Sequence, residues 1–153
     1  MGAGTPQGAG AGGVVAAANE VVRRAAREGA YDLYLAALLA PRNVRFDLIA
    51  IAAFVGEVGR IPLTVTERTI GLIRLQWWCD TLVRPSGERT GSPVADAVRA
   101  LIARRALPAE RFIVLVRAHE MLLEGGAVPA VGDEAGPLEA VWGSALWLGA
   151  SVL

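Results

Sequence analysis

The sequence predicts an all-α protein, a bundle of about six or seven helices. Hydrophobic residues make up 54% of the 153 residues and the mean hydropathy is +0.43, so the chain can bury a sizeable core. Apolar residues recur at helical spacing, and no segment alternates between apolar and polar residues in the manner of a half-buried strand. Pro and Gly fall between these segments, where helices begin and end.

The N-terminal residues differ in composition from the rest of the chain. Residues 1–13 are rich in Gly and Ala, and we expect them to be disordered because Gly loses the most entropy on ordering and buries no side chain. The helical domain is predicted over 14–153. Its first helix covers Val14–Arg27, and Gly29 ends it.

The next helices contain the most apolar segment of the chain. After a short helix from Asp32 to Leu39, the segment Val44–Arg60 is apolar on nearly every face, which predicts a helix at the centre of the bundle. Pro62 is expected to break that helix. Thr64 and Glu67 have the spacing of a capping box, which predicts that the following helix begins there and runs to about Val83.

Three further helices are predicted from their start signals. Ser92 is a cap with Pro93 in the first helical position, and that helix runs to Arg105. The others are expected from Pro108 to Glu124, and from near Leu138 to Leu153, where the chain is still apolar and uncapped. We interpret this uncapped end as a sign that the bundle once continued or that the reading frame is truncated. The alternative is that these residues dock into the core. The arginines 104, 105, 111 and 117 are predicted to be solvated helix surface.

Composition excludes several classes of function. The 15 basic and 15 acidic residues balance, which argues against nucleic-acid binding. Every basic residue is Arg, so neither a Schiff-base Lys nor a P-loop Lys is available. Cys79 is the sole cysteine and His119 the sole histidine, which rules out an internal disulfide, a multi-Cys zinc site and a two-His metal site.

The sequence contains no predicted membrane span. No secretory signal precedes the domain, and the longest uncharged apolar run, Ala140–Leu153, falls short of the roughly 20 residues that cross a bilayer. We therefore expect a cytoplasmic protein, with peripheral contact at the inner membrane as the alternative.

Several spaced segments resemble one known family. The residues Thr69–Leu82 (TIGLIRLQWWCDTL) resemble the "GxxRLQWWxDxL" helix of the squalene/phytoene synthase family, in the branch that includes a mitochondrial complex I assembly factor. The resemblance extends in matching order over residues 31–153 and includes the segments Asp32–Pro41, Ala52–Arg60, Ser92–Ala97, Leu107-Pro108 and Glu139–Leu153. It implies a class I isoprenoid-synthase-like fold.

The resemblance also implies a chemistry. Enzymes of this family join two prenyl diphosphates head to head, and two Asp-rich motifs hold the Mg²⁺ that binds the diphosphate, because hard divalent cations need clustered carboxylate oxygens. The first motif would begin at Gly59 and end at Leu63, and neither residue can bind a metal. Glu57 is the only nearby carboxylate, and the second motif would lie beyond Leu153. We therefore expect no metal site, no cofactor and no prenyl transfer by this chain alone.

What remains is a binding or assembly role, either cradling an isoprenoid chain or docking on a membrane-complex protein. The alternative is part of a prenyl transferase that a second polypeptide completes.

Candidate contact residues are Glu57, Arg74 and Trp78. Arg74 and Trp78 are one turn apart and could stack for a partner or lipid, whereas Trp78 could instead pack under another helix. On that helix, the predicted buried face contains residues 70, 72, 73, 75, 77, 79 and 82, and the predicted outer face residues 67, 71, 74, 78 and 81.

Overall fold

A computed structural model describes residues 8–85, 87–125 and 137–153, and within those ranges the chain forms seven α-helices and no strand. The all-α prediction is confirmed. The helices are α1 (Gly8–Gly29), α2 (Tyr31–Leu39), α3 (Arg42–Thr64), α4 (Arg68–Val83), α5 (Pro93–Arg105), α6 (Ala109–Leu123) and α7 (Pro137–Ala150). None of the helices in these ranges is long and apolar enough to cross a membrane.

Helix α3 is the centre of the bundle, as its apolar sequence predicted. It contacts each of the other six helices, and its side chains Ile49, Phe54 and Val58 are almost completely buried. The ring of Phe54 meets Trp78 of α4 edge-on at 5.1 Å and Phe112 of α6 at 5.4 Å between ring centroids. These aromatic contacts join three helices at one point of the core.

The closest helix contact in the core depends on two glycines. Gly29 of α1 lies against Gly56 of α3, and a Cβ atom on either residue would come within 2.7 Å of the other's backbone. Two backbones can approach this closely only where neither carries a side chain. This contact fixes α1 against the central helix.

A buried carboxylate joins α3 to α5. Asp47 is 4% exposed and accepts hydrogen bonds from the guanidinium groups of Arg104 and Arg105, the latter at 2.9 Å from Nε to Oδ2. The predicted surface position holds for Arg104, which is exposed, whereas Arg105 is half-buried; the sequence did not predict that both pair with Asp47. An ionised carboxylate inside an apolar helix needs such partners, because burying it unpaired is very costly.

The boundary between α3 and α4 differs from the prediction. Helix α3 continues through Pro62 to Thr64, because proline near the end of a helix removes only one hydrogen bond and the Val65 N–H still reaches the Ile61 carbonyl at 3.2 Å. The Thr64 hydroxyl donates to the Arg60 carbonyl, so it caps nothing. Glu67 itself is the N-cap residue, and its side chain makes no capping hydrogen bond.

Two terminal boundaries also differ. Helix α1 begins at Gly8, six residues before its predicted start at Val14, so part of the expected disordered tail is helical. The rest of that tail, residues 1–7, lies outside the described residues. Helix α7 ends at Ala150 and a turn follows, whereas the sequence had predicted helix up to Leu153.

Candidate functional site

An open groove lies between the C-terminal end of α3 and the outer side of α4. Its volume is about 620 Å³, within the range of binding pockets. The lining residues follow helical spacing on both helices, with Ser92 at the start of α5 closing one side. They are Glu57, Arg60, Ile61 and Thr64 on α3, and Ile73, Arg74, Trp77 and Trp78 on α4. We call this the α3–α4 groove.

All three candidate contact residues line this groove, and the sequence missed several others. Glu57, Arg74 and Trp78 are brought together as neighbours, along with Arg60, for which the sequence suggested no role, and Trp77, which it had predicted to be buried. Helical spacing could have identified both residues, since Arg60 lies three residues after Glu57 and Trp77 lies three residues after Arg74, on the same helix faces. What the sequence could not supply was the pairing of those two helix faces.

The orientation of α4 explains why its predicted face was only partly right. Ile70, Ile73 and Trp77, predicted to be buried, are 47%, 64% and 37% exposed. The buried face contains Gly71, Leu75, Trp78, Cys79, Thr81 and Leu82. Gly71 sets this orientation, because a Cβ atom there would come within 2.5 Å of the Leu123 side chain of α6. The missing side chain lets α4 turn that side inward.

Trp78 contributes mainly to the core. Its side chain is 3% exposed and packs against Phe54, so the interpretation that it packs under another helix is confirmed. Its neighbour Trp77, with a ring centroid 5.2 Å away, has the accessible indole ring. Within the described ranges the guanidinium groups that lie over aromatic rings belong to Arg23 and Arg111, so the predicted Arg74–Trp78 stack does not form.

The charges of the groove are two guanidinium groups and one carboxyl group. Arg60 and Arg74 are exposed, and among the described residues neither guanidinium group has a hydrogen-bond or ion-pair partner. Burial raises the pKa of the Glu57 carboxyl group, and the charge of Arg60 partly opposes that rise. The groove therefore presents a net positive charge beside an aromatic surface.

The two positions expected for the first Asp-rich motif lie apart from this groove. Gly59 faces α6, where a Cβ atom would stand 3.6 Å from Nε2 of His119. Leu63 is 83% exposed. Neither residue lines the α3–α4 groove.

His119 and Cys79 are buried on α6 and α4. The Nδ1 atom of His119 lies 2.8 Å from the Leu115 carbonyl, which assigns the ring hydrogen to Nδ1. Burial lowers the pKa of His119 and raises that of the Cys79 thiol, so both groups are held in their neutral forms. In the part of the chain that the structure describes, no three His, Cys, Asp or Glu side chains come together as a metal-binding group.

A second cavity, of about 480 Å³, lies between α2, α3 and α7 and was not foreseen. Its lining is wholly apolar and includes Leu33, Leu48, Ile51, Leu146 and Leu153. Among the described residues, no polar or charged side chain lines it, so it offers volume for an apolar group.

Comparison with known proteins finds relatives of one kind. Human NADH dehydrogenase (ubiquinone) complex I, assembly factor 6, is 39% identical over 56 residues, which is 37% of this chain and 17% of that protein. The bovine protein is 41% identical over 56 residues, which is 37% of this chain and 17% of the bovine protein. The mouse protein is 38% identical over 52 residues, which is 34% of this chain and 16% of the mouse protein. These matches thus span less than a fifth of the relatives' length. No solved structure matches the chain.

The family comparison covers more of the chain. The model of the squalene/phytoene synthase family matches residues 26–134, which include α2 to α6 and the whole α3–α4 groove. The match and the all-helical fold agree with the resemblance carried by the Thr69–Leu82 segment. This chain belongs to the squalene/phytoene synthase family.

Proposed function

We propose that the chain is a family member without prenyl-transfer activity of its own that acts as a binding or assembly module. The observation that carries the proposal is the composition of the α3–α4 groove. It holds two arginines without partners among the described residues and an accessible indole, whereas Gly59 and Leu63, at the expected metal-binding positions, lie apart from it. Trp and Arg are the residues that most often dominate protein interfaces.

A metal-dependent reaction needs carboxylates that this groove does not supply. Holding Mg²⁺ against a diphosphate requires several carboxylate oxygens close together, and among the described residues that line the groove only Glu57 has a carboxyl group. Burial also favours its neutral form, which is a poorer metal ligand. The similarity to complex I assembly factor 6 supports an assembly role, with a membrane-complex protein as the partner. We propose peripheral contact with the inner membrane on the same ground.

The test is an activity assay of the purified chain with Mg²⁺ and farnesyl or geranylgeranyl diphosphate. An active synthase of the family, assayed in parallel, shows that the conditions permit the reaction. We expect no squalene-like or phytoene-like product from this chain. Formation of either product at a rate that depends on Mg²⁺ would overturn the proposal.

A second candidate is part of a prenyl transferase that another polypeptide completes. The observation in its favour is that residues 26–134 match the squalene/phytoene synthase family. Co-expression with the product of a neighbouring reading frame that carries a D-x-x-x-D helix tests it. Product from the pair, and from neither polypeptide alone, would support this candidate; no product from the pair would exclude it.

A further inference from the structure

The outer face of α4 carries an apolar stripe that is largely exposed in the part of the chain that the structure describes. Ile70, Ile73 and Trp77, spaced i, i+3 and i+7, are 47%, 64% and 37% exposed, and we call them the α4 stripe. This is the spacing of a helix that packs against a partner. Ile73 and Trp77 also line the α3–α4 groove, so the stripe and the groove form one continuous surface.

Two cations border that surface. Arg60 approaches from α3 and Arg74 from α4, in the same turn of the helix as Ile73 and Trp77. Other arginines are already engaged, such as Arg99 with backbone carbonyls and Arg104 with Asp47. The two groove arginines outnumber Glu57, and burial favours the neutral form of that carboxyl group. Among the described residues that line the groove, positive charge therefore exceeds negative charge beside the apolar side chains, which favours an anionic group there. The exposed carboxylates of Glu67 and Asp80 lie about one turn beyond the two ends of the stripe.

The extent of the surface indicates the size of the occupant. The stripe runs over about 10 Å of helix, or two turns at roughly 1.5 Å per residue. Ile70 lies outside the groove lining, and the rim residues Arg60, Thr64 and Arg74 are exposed, so a small molecule in the groove would leave much of its own surface in water. A two-turn apolar stripe instead matches the anchor spacing of a second helix.

From this geometry we propose that the α4 stripe and the α3–α4 groove bind an acidic amphipathic helix of a partner protein. Its apolar residues pack on Ile70, Ile73 and Trp77, and its carboxylates pair with Arg60 and Arg74. The proposal rests on the binding role proposed above and names the chemistry of the partner. Carboxylate pairs with two guanidinium groups give the contact its specificity and its dependence on salt.

The experiment uses two synthetic amphipathic helices, labelled with fluorescein, that share the same Leu and Phe positions. One carries Glu beside the apolar face and the other carries Lys. Fluorescence anisotropy measures the binding of each to the whole chain at low salt. We expect the Glu peptide to bind at least about tenfold more tightly than the Lys peptide, because one like-charge contact replaced by an opposite one changes affinity on that scale.

Charge reversal on the protein sharpens the result. Arg74→Glu should weaken the binding of the Glu peptide about tenfold and tighten the binding of the Lys peptide. Arg24→Glu, a matched charge reversal on the exposed part of α1, should change the binding of neither peptide. Trp77→Ala should weaken both peptides while leaving the fold intact, because the indole is accessible. Circular dichroism of each variant verifies the fold.

Three outcomes would overturn the inference. The first is equal binding of the two peptides, or an Arg74→Glu variant that behaves like Arg24→Glu. The second is dimerisation of the chain that Ile73→Glu abolishes, which would make a second copy the occupant. The third is displacement of the Glu peptide by farnesyl diphosphate or by anionic lipid vesicles. None of these depends on prenyl product, so this inference can fail while the proposed function stands, and product formation would overturn the proposed function separately.

Discussion

The two ends of the central helix show opposite kinds of packing. Over Asp47–Gly56, α3 makes close contacts with three neighbouring helices and with α1, although Leu48 and Ile51 also border the second cavity. Asp47 is paired with two arginines, Phe54 meets two aromatic rings, and Gly56 touches the backbone of Gly29. From Glu57 to Thr64 the same helix borders an open groove with exposed arginines. Both ends belong to one continuous helix, so the difference lies in what packs against each end. The first part of α3 holds several helices together, whereas the second part, although Val58 and Ile61 are buried, carries the groove for which we propose a binding role.

The adjacent tryptophans of α4 test this comparison with the largest expected effect. Trp78→Ala should cost about 3–5 kcal/mol of unfolding free energy, because it leaves a cavity beside Phe54. Trp77→Ala should cost roughly 1 kcal/mol or less, since its ring is more than a third exposed. Urea unfolding followed by circular dichroism measures both. Similar losses for the two variants would mean that α4 does not face the core as described.

Substitution of two glycines of α3 tests the same comparison, with an intermediate expected effect on stability. Gly56→Ala should destabilise the protein by about 3 kcal/mol, because its Cβ would lie 2.7 Å from the Gly29 backbone, which has no side chain that can move away. Gly59→Ala, only three residues later, should be neutral or stabilising by up to about 1 kcal/mol, since its Cβ meets His119 at an ordinary 3.6 Å and Ala favours helix. Thermal melting of the two variants measures this difference in stability. A Gly56→Ala variant as stable as the natural protein would contradict the close contact of α1 and α3.

His119, which packs beside Gly59, predicts a smaller, pH-dependent effect. Burial lowers the pKa of its imidazole below the ordinary 6.5, so the unfolded chain binds a proton that the folded chain does not. Stability is then complete above about pH 6.5 and falls as the pH decreases below it, by at most roughly 1.4 kcal/mol per pH unit.

The variant His119→Asn isolates this effect, because its amide can still donate to the Leu115 carbonyl but does not titrate. Denaturant unfolding between pH 7 and 5 should show a slope for the natural chain that is reduced in the variant. Glu57, whose pKa is raised, contributes the opposite trend above pH 4.5 in both proteins and cancels in the difference. Identical slopes would show that His119 is not titrating from a buried position.

The sequence predicted the helices and the central position of α3 because both follow from periodicity along one segment. It also predicted Glu57, Arg74 and Trp78 as candidate contacts, and all three line one groove. It failed where the answer depends on another helix. The orientation of α4 depends on the fit of Gly71 against Leu123, and the partners of Asp47 come from 57 and 58 residues further along the chain. No local pattern carries such information.

The central claim is that the open end of α3 is a binding surface without a metal-diphosphate site. The most direct test is a calorimetric titration of the natural chain with inorganic diphosphate, in the presence and absence of Mg²⁺. We expect that Mg²⁺ does not tighten the binding, because Glu57, the one carboxyl group among the described groove residues, cannot by itself hold the metal on the protein. Binding that Mg²⁺ tightens, and that Glu57→Gln abolishes, would contradict it.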